Sequence, residues 1–205
     1  EPIFQCNKGA LVHFSIDTSQ IKMTTKLYNG GSTFLPFNQG SNGPGVDGGA
    51  GNPQSVDDDY VTSYILKEVL QKDKLLDILQ KFIHFDRHEE IYIDENGEEQ
   101  TKIVKKIIFP RYHQLDVVEK LVNDTMQNGS GNNYLIQHSA GSGKSNSIAW
   151  LTYRLTSLHD AEQKHIFNSV FVITDRRVLN KQLRETILSF DHIDGQIEWI
   201  TDNDN

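Results

Sequence analysis

A short run of small and polar residues at positions 138–145 has the composition and spacing of a phosphate-binding loop. Its sequence is HSAGSGKS, and it lies between an apolar run at 134–136 and a helical pattern. Small residues let backbone N–H groups curve around an anion, because larger side chains would block the required conformations. The following helix start adds unpaired N–H groups and partial positive charge. The pattern predicts a nucleotide site formed by Ser139, Ala140, Gly141, Ser142, Gly143, Lys144 and Ser145.

Two side chains of this loop have specific predicted roles. Lys144 supplies a mobile cation for the outer phosphates of a nucleotide, and Ser145 offers its hydroxyl to Mg²⁺ as a metal ligand. The first position departs from the general pattern, because His138 stands where Gly or Ala is usual. The alternative is a chance glycine- and serine-rich loop, against which the strand-to-helix setting argues.

Composition excludes several classes of protein. The chain has 205 residues with 28 acidic and 20 basic side chains, a net charge of −8, so any DNA contact requires a local basic face. A single cysteine, Cys6, excludes an internal disulfide framework and multi-cysteine metal sites and fits a reducing cytoplasm. No apolar run reaches the length of a membrane span. Because the sequence begins with Glu1, we expect a fragment of a longer protein.

The first third of the chain predicts strands followed by a loop. Segments 10–16 and 21–27 alternate in the manner of an antiparallel hairpin, with Phe14, Ile16, Ile21 and Met23 as buried candidates. Residues 28–54 are rich in Gly and Asn and predict an irregular loop, within which the apolar stretch 34–38 packs down. The acidic triplet 57–59 predicts a solvated turn in preference to a metal site.

The middle of the chain predicts two helices and a second hairpin. Apolar stripes cover 65–70 and 75–83, with Asp73 as a candidate N-cap between them. His84, Asp86 and His88 suggest metal ligands, but we favour a solvated helix exit. Asn96-Gly97 then predicts a tight turn between strands 91–93 and 103–104.

The last third predicts alternating strands and helices. The segment 107–114 runs into a helix with Leu115, Val118, Val122 and Met126 on one face. The helix after the phosphate loop places Ile148, Leu151, Thr152 and Leu155 on one face. Residues 169–174 predict a second buried strand, because their apolar run is nearly continuous. A helix with Leu179, Leu183 and Ile187 inward and a third strand at 197–200 follow.

Three ordered segments of the second half resemble superfamily 2 helicase-like motors. They are FPRYHQ at 109–114, QHSAGSGKS at 137–145 and VITDRRVLNKQ at 172–182. More narrowly, they resemble the restriction (motor and nuclease) subunit of type I restriction–modification enzymes, in which Gln-His often precedes the loop. Segments 12–14, 23–27, 34–38 and 49–53 resemble the link from nuclease to motor in those subunits. The resemblance covers almost the whole chain.

The resemblance implies an α/β fold in which the start of a RecA-like phosphate-loop motor domain follows the α+β end of a nuclease domain. Residues 1–60 would end the nuclease domain, 61–106 would form a helical and hairpin connector, and 107–205 would begin the first motor domain. It further implies ATP and Mg²⁺ as cofactors. Double-stranded DNA and the modification and specificity subunits are the implied partners.

The same resemblance assigns roles to residues outside the loop. Gln114 matches the glutamine that recognises adenine, whose amino group and ring nitrogen an amide can pair with. Phe109 and Tyr112 would then flank the base, the alternative being that they are core and Gln114 faces water. Thr174 and Asp175 fall in a motif that faces DNA, and Arg176 and Arg177 would contact its backbone phosphates, although surface arginines at a helix start fit as well.

Alternatives remain open at this point. An apolar strand ending in Asp175 also fits the magnesium-binding acid of an unrelated phosphate-loop kinase, and a nucleotide-gated binding module is a non-enzymatic possibility. The resemblance implies an ATP-dependent, site-specific deoxyribonuclease as the whole subunit. The catalytic acids of its nuclease and motor are expected outside this chain, so the chain alone should be inactive.

Overall fold

The computed structural model describes residues 2–4, 9–40, 50–55, 59–175, 177–190, 197–198 and 200. For residues 2, 87–88, 177–180 and 182 it describes the backbone only. Five strands are present in this part of the chain: β1 His13–Ile16, β2 Ile21–Thr24, β3 Leu35–Pro36, β4 His84–Ile93 and β5 Glu99–Ile108. The helices are a 3-10 turn Pro2–Phe4, a π-helix Ile65–Val69, α1 Lys72–Lys81, α2 Tyr112–Asn128, α3 Lys144–Thr156 and α4 Arg177–Leu188.

The predicted first hairpin is confirmed. Strands β1 and β2 pair antiparallel with Ile16 opposite Ile21, and Asp17 accepts backbone hydrogen bonds from Ser19 and Gln20 in the turn. Ile21 and Met23 are buried, but Ile16 is exposed, so its predicted burial is wrong. The reason is position, since Ile16 ends its strand beside the turn.

The Gly-rich segment folds back on this hairpin, as far as its described residues 28–40 and 50–54 show. Strand β3 adds to β2, and Phe37 is fully buried, which confirms that the apolar stretch packs down. Two asparagines hold the segment in place. Asn38 Oδ1 accepts from Ile21 N at 2.8 Å, and Asn52 Nδ2 donates to Asn38 Oδ1 at 3.1 Å.

The two middle helices form with changed boundaries. The first is a π-helix, and the N-cap of α1 is Gln71, so Asp73 lies inside the first turn and its predicted capping role is wrong. Of the acidic triplet, Asp59 is exposed and pairs with Lys67 at 2.9 Å, whereas Asp57 and Asp58 lie outside the described residues.

The second hairpin is longer than predicted, pairing His84–Ile93 with Glu99–Ile108 around a turn that contains Gly97. The predicted solvated exit at His84 is wrong. His84 is buried at the base of β4, where its ring lies 4.2 Å from Phe190 and 5.7 Å from Trp150. The strand begins two residues after the buried Phe82, which draws His84 into the core.

Helices α2 and α3 pack against each other. Leu115, Val118 and Val122 are buried as predicted, while Met126 near the helix end is exposed. On α3 the buried residues are Ser147, Ala149 and Trp150. Of the predicted face, Leu151 is partly buried and packs against the core, whereas Ile148 is exposed, so that prediction is only partly right. Trp150 determines the rotation of the helix, because it is fully enclosed and its Nε1 donates to Phe82 O at 2.7 Å.

The predicted strands at 134–136 and 169–174 are not formed. Leu135 is 95% exposed and Ile173 is 92% exposed, and in the described part of the chain every strand pairing is antiparallel. An apolar run becomes a buried parallel strand only when other strands pair with it, and these two segments are unpaired here. Residues 197, 198 and 200 form no strand either, and Trp199 lies outside the described residues.

The mixture of helices and strands fits the expected α/β class. One cluster of buried residues extends from Ile21 to Phe190 and draws on all three predicted segments, and the division at 60 and 106 stays a prediction. Among the described residues, no helix is both long and apolar enough to cross a membrane.

Candidate functional site

The start of α2 faces the predicted phosphate loop. Pro110 is buried and Arg111 takes an extended conformation, so the helix begins at Tyr112. Gln114 closes the first turn by accepting a hydrogen bond at its Oε1 from Arg111 N at 2.9 Å. This side chain is only 3% exposed. The helix start is therefore a rigid edge with its polar groups directed at the loop.

Three side chains from this edge contact three consecutive carbonyl oxygens of the loop. Arg111 Nη2 donates to Gly141 O at 3.2 Å, and Gln114 Nε2 donates to Gly143 O at 2.9 Å. His113 Nε2 lies 2.9 Å from Ser142 O. A carbonyl oxygen only accepts, so this ring nitrogen carries the proton.

The loop ends in a left-handed residue that only glycine occupies without strain. Gly143, the N-cap of α3, has φ +79°, and a Cβ there would lie 2.4 Å from Gln114 Nε2. Gly141 also has a positive φ, +72°, but nothing lies within 4 Å of the position of its Cβ. Glycine is therefore required at Gly143 by both conformation and space.

This difference gives a paired prediction. Gly143→Ala is expected to lower stability and to weaken nucleotide binding more than Gly141→Ala, because both carry the left-handed cost of about 1–2 kcal/mol but only the first displaces Gln114. Urea unfolding and calorimetric ATP titration of both variants measure the difference. Equal effects of the two substitutions would contradict the close contact between Gly143 and Gln114.

Lys144 lies at the start of α3 and bends back over the loop. Its Nζ donates to Ser139 O at 2.9 Å and to His138 O at 3.2 Å. The side chain is exposed, and both of its acceptors are neutral carbonyls. A phosphate offers a stronger, charge-assisted acceptor, so the same ammonium is well placed to exchange carbonyls for phosphate oxygens.

The backbone at the start of α3 fits an anion. Within the described part of the chain, the N–H groups of Gly143, Lys144 and Ser145 donate to no protein acceptor. Ser142 Oγ, beside them, is buried without a partner among the described residues. Such orphaned polar groups at a helix N-terminus are the donors that a triphosphate would use. The residues present therefore fit ATP.

Ser145 is half-buried directly after Lys144 and is the one predicted metal ligand. Among the described residues there is no cluster of three or more acidic, His or Cys side chains that could hold a metal ion. One hydroxyl alone does not bind Mg²⁺, which is commonly held by few protein groups together with substrate phosphates. Ser145 therefore fits a metal that arrives with the nucleotide.

Two histidines border the loop. The rings of His113 and His138 lie 5.0 Å apart and nearly perpendicular. Burial lowers the pKa of His113, and Arg111 and His138 lower it further against the opposing effect of its bond to Ser142 O. Burial and the charges of Lys144 and Arg111 likewise lower the pKa of His138. Both rings are therefore neutral at neutral pH.

The residues proposed to flank the base are elsewhere. Phe109 and Tyr112 are buried in the aromatic core, where each contacts Phe37 and Tyr112 also contacts Tyr64. Their predicted place beside a base is therefore wrong. Gln114 has both ends of its amide engaged, with Arg111 N and Gly143 O, so its role in reading adenine stays a prediction.

The predicted DNA-facing residues are only partly described. Arg176 lies outside the described residues, and Arg177 begins α4 with only its backbone described. Thr174 is half-buried and Asp175 is exposed, in a segment that forms no strand. The phosphate contacts of Arg176 and Arg177 stay predictions.

A groove of about 1290 Å³ lies away from this site. It runs between β4 and α4 and is lined by residues such as His84, Tyr153, Glu185 and Phe190, and includes none of the predicted site residues. We therefore identify the candidate site by the phosphate-binding groups of the loop, although the groove is large.

Comparison with protein families supports a nucleotide-binding class for this site. Residues 113–202 match the SWI2/SNF2 ATPase family. The match begins at the start of α2 and includes Gln114, the loop and the segment 172–182. It indicates a superfamily 2 helicase-like, nucleotide-binding ATPase in this part of the chain. Membership of that family would imply a RecA-like fold and the use of ATP, usually with Mg²⁺. Searches of curated proteins and of solved structures gave no match.

The match to the SWI2/SNF2 ATPases leaves out residues 1–112, including Arg111. Sequence reasoning missed Arg111 and His113 as site residues, although both stand within three positions of Gln114. The signal that could have found them is the helix start itself. Side chains in the first turn of α2 point back towards its N-terminus, which is where the loop lies.

One triplet of the Glu-x-Lys type is present at 162–164. It lies in an exposed turn after α3, where Glu162 Oε2 pairs with Lys164 Nζ at 2.9 Å. Asp160 holds the same turn by accepting from the backbone N–H groups of Glu162 and Lys164. A fully exposed pair in a turn is a surface contact. Neither residue belongs to a cluster of potential metal ligands in the described part of the chain.

Proposed function

We propose that this chain is the nucleotide-binding portion of the restriction subunit of a cytoplasmic type I restriction enzyme, an ATP-dependent DNA translocase and endonuclease. The observation that carries the nucleotide part is the Lys144 loop braced against the start of α2, inside the segment that matches SWI2/SNF2 ATPases. The narrower assignment rests on the order of motifs along the whole chain.

Contacts between the front motifs support the narrower assignment. Asn38 and Asn52 come from two separate segments of the resemblance, and they bond to each other at 3.1 Å. The same region reaches α2, since Gln39 Nε2 donates to the Tyr112 hydroxyl at 3.0 Å. It also contacts the start of the π-helix, where Tyr64 donates to Phe37 O at 2.7 Å. The segments 34–38 and 49–53 thus lie in a region that contacts α2, the helix that holds the phosphate loop. Such a contact is expected of a segment that links a nuclease domain to a motor domain.

The residues of this chain would act by binding and orienting the nucleotide. Lys144 and the backbone N–H groups at the start of α3 would hold the phosphates, and Ser145 would contribute one oxygen ligand to Mg²⁺. Bound Mg²⁺ would neutralise charge on the phosphates during transfer to water. Arg176 and Arg177 would contact the backbone of double-stranded DNA.

The test uses the full-length subunit assembled with its modification and specificity subunits. Double-stranded DNA should stimulate ATP hydrolysis, and the assembly should cut DNA that carries the recognition sequence. ATP hydrolysis stimulated by DNA without any cleavage would leave a helicase-like ATPase and remove the restriction assignment. Phosphoryl transfer to a small molecule would favour the kinase alternative.

The proposal predicts a preference between nucleotides. If Gln114 pairs with adenine, ATP should bind more tightly than GTP, and Gln114→Ala should narrow that gap, because the amide rewards only one donor–acceptor pattern. To pair with the base, Gln114 must break either the hydrogen bond from its Nε2 to Gly143 O or the one that its Oε1 accepts from Arg111 N. Competition binding with both nucleotides measures the ratio. A ratio of one in both proteins would remove Gln114 from base recognition, whatever happens to affinity.

A further inference from the structure

The phosphate loop is held at three consecutive peptide groups by one turn of one helix. Arg111, His113 and Gln114 contact the carbonyl oxygens of Gly141, Ser142 and Gly143 in the same order along both segments. We call this arrangement the carbonyl clamp. Its distances run from 2.9 to 3.2 Å, within the normal range of hydrogen bonds.

The clamp has a geometric consequence for anion binding. A trans peptide unit is planar, and its C=O and the N–H of the next residue point in opposite directions. Fixing the carbonyls of residues 141–143 towards α2 therefore turns the N–H groups of residues 142–144 away from α2. Those of Gly143 and Lys144 are among the donors that find no protein acceptor in the described part of the chain.

The chemistry of the clamp suits a preorganised site. Gln114 is buried, and its bond to Gly143 O and the bond of His113 to Ser142 O are partly buried, whereas the bond of Arg111 to Gly141 O is exposed. A hydrogen bond that is partly shielded from solvent is stronger than one in water. The loop is therefore held in shape before a ligand arrives, so less ordering is required when it binds.

We propose that Arg111 and His113 are positioning residues for the nucleotide, acting through the carbonyls of Gly141 and Ser142 to aim the loop amides at its phosphates. This rests on the proposed nucleotide-binding function and adds two residues to it, one of them outside the segment that matches SWI2/SNF2 ATPases. Because the clamp acts on the loop, its effect should be independent of the base. It should be equally large for a ligand that consists of phosphates alone.

The experiment measures binding of ATP and of inorganic tripolyphosphate by calorimetry in the 205-residue chain. Arg111→Ala and His113→Leu should each weaken both ligands by the same factor, about three- to tenfold, as expected for the loss of one hydrogen bond. His113→Gln keeps an N–H donor and should restore affinity to within about twofold of wild type. Asn123→Ala, on an exposed part of the same helix, should change nothing.

The outcomes separate the two hypotheses. Wild type that binds neither ligand overturns the proposed function itself. Wild type that binds both, with Arg111→Ala and His113→Leu unchanged, overturns the clamp alone, as does a loss of ATP binding without loss of tripolyphosphate binding. Far-UV circular dichroism and unfolding midpoints accompany each titration, and Arg111→Gln replaces Arg111→Ala if the latter fails to fold. A failure of His113→Gln to restore binding also counts against the clamp.

Discussion

Lys144→Ala is expected to weaken ATP binding about ten- to a hundred-fold, because it removes charge-assisted hydrogen bonds worth about 1.5–3 kcal/mol. Within the described residues, the ammonium donates to the carbonyls of His138 and Ser139. These contacts are exposed, so their loss should leave the fold intact. Calorimetric titration with ATP measures the change.

Lys164→Ala is the matched control for Lys144→Ala. Lys164 is exposed and pairs with Glu162 in a turn, so the substitution removes the same charge from the chain without touching the loop. Its ATP affinity should equal that of wild type. If Lys144→Ala binds ATP as tightly as Lys164→Ala, the assignment of the phosphate loop is wrong.

Trp150→Ala is expected to destabilise the fold by about 3–5 kcal/mol, as for other large aromatic residues removed from cores. Trp150 is fully buried and contacts the rings of Phe82, His84 and Phe190. Phe82 lies at the end of α1, His84 begins β4, and Phe190 follows α4. Its loss would leave a cavity where these elements meet. The free energy of unfolding in urea measures the effect.

Two further variants serve as controls for Trp150→Ala, one for the lost hydrogen bond and one for the loss of an exposed aromatic side chain. Trp150→Phe keeps an aromatic ring but loses the Nε1 bond to Phe82 O, so we expect an intermediate cost of about 1–3 kcal/mol. Tyr60→Ala removes an aromatic side chain that is 65% exposed and should change stability by less than about 0.5 kcal/mol. A Trp150→Ala effect no larger than that of Tyr60→Ala would contradict the packing of α3.

The sequence alone predicted several of the local elements and the candidate phosphate loop. Both hairpins were predicted because their turn chemistry and alternation act over a few residues, as Asn96-Gly97 shows. Helix α2 was predicted from its apolar period, and its buried Leu115, Val118 and Val122 follow from it. The loop was predicted because the conformational freedom of Gly143 and the charge of Lys144 are properties of those residue types.

Only the tertiary structure decided which partners these elements have. The apolar runs at 134–136 and 171–173 read as buried strands, yet they are exposed, because burial depends on neighbouring strands that the run itself does not specify. His84 was expected in solvent but is buried, because Trp150 and Phe190 pack around it. Ile16 was expected to be buried but is exposed, because it lies beside the turn. The carbonyl clamp is equally non-local. It joins residues about thirty positions apart through backbone oxygens that every residue possesses, so no pattern of side chains along the chain reveals it.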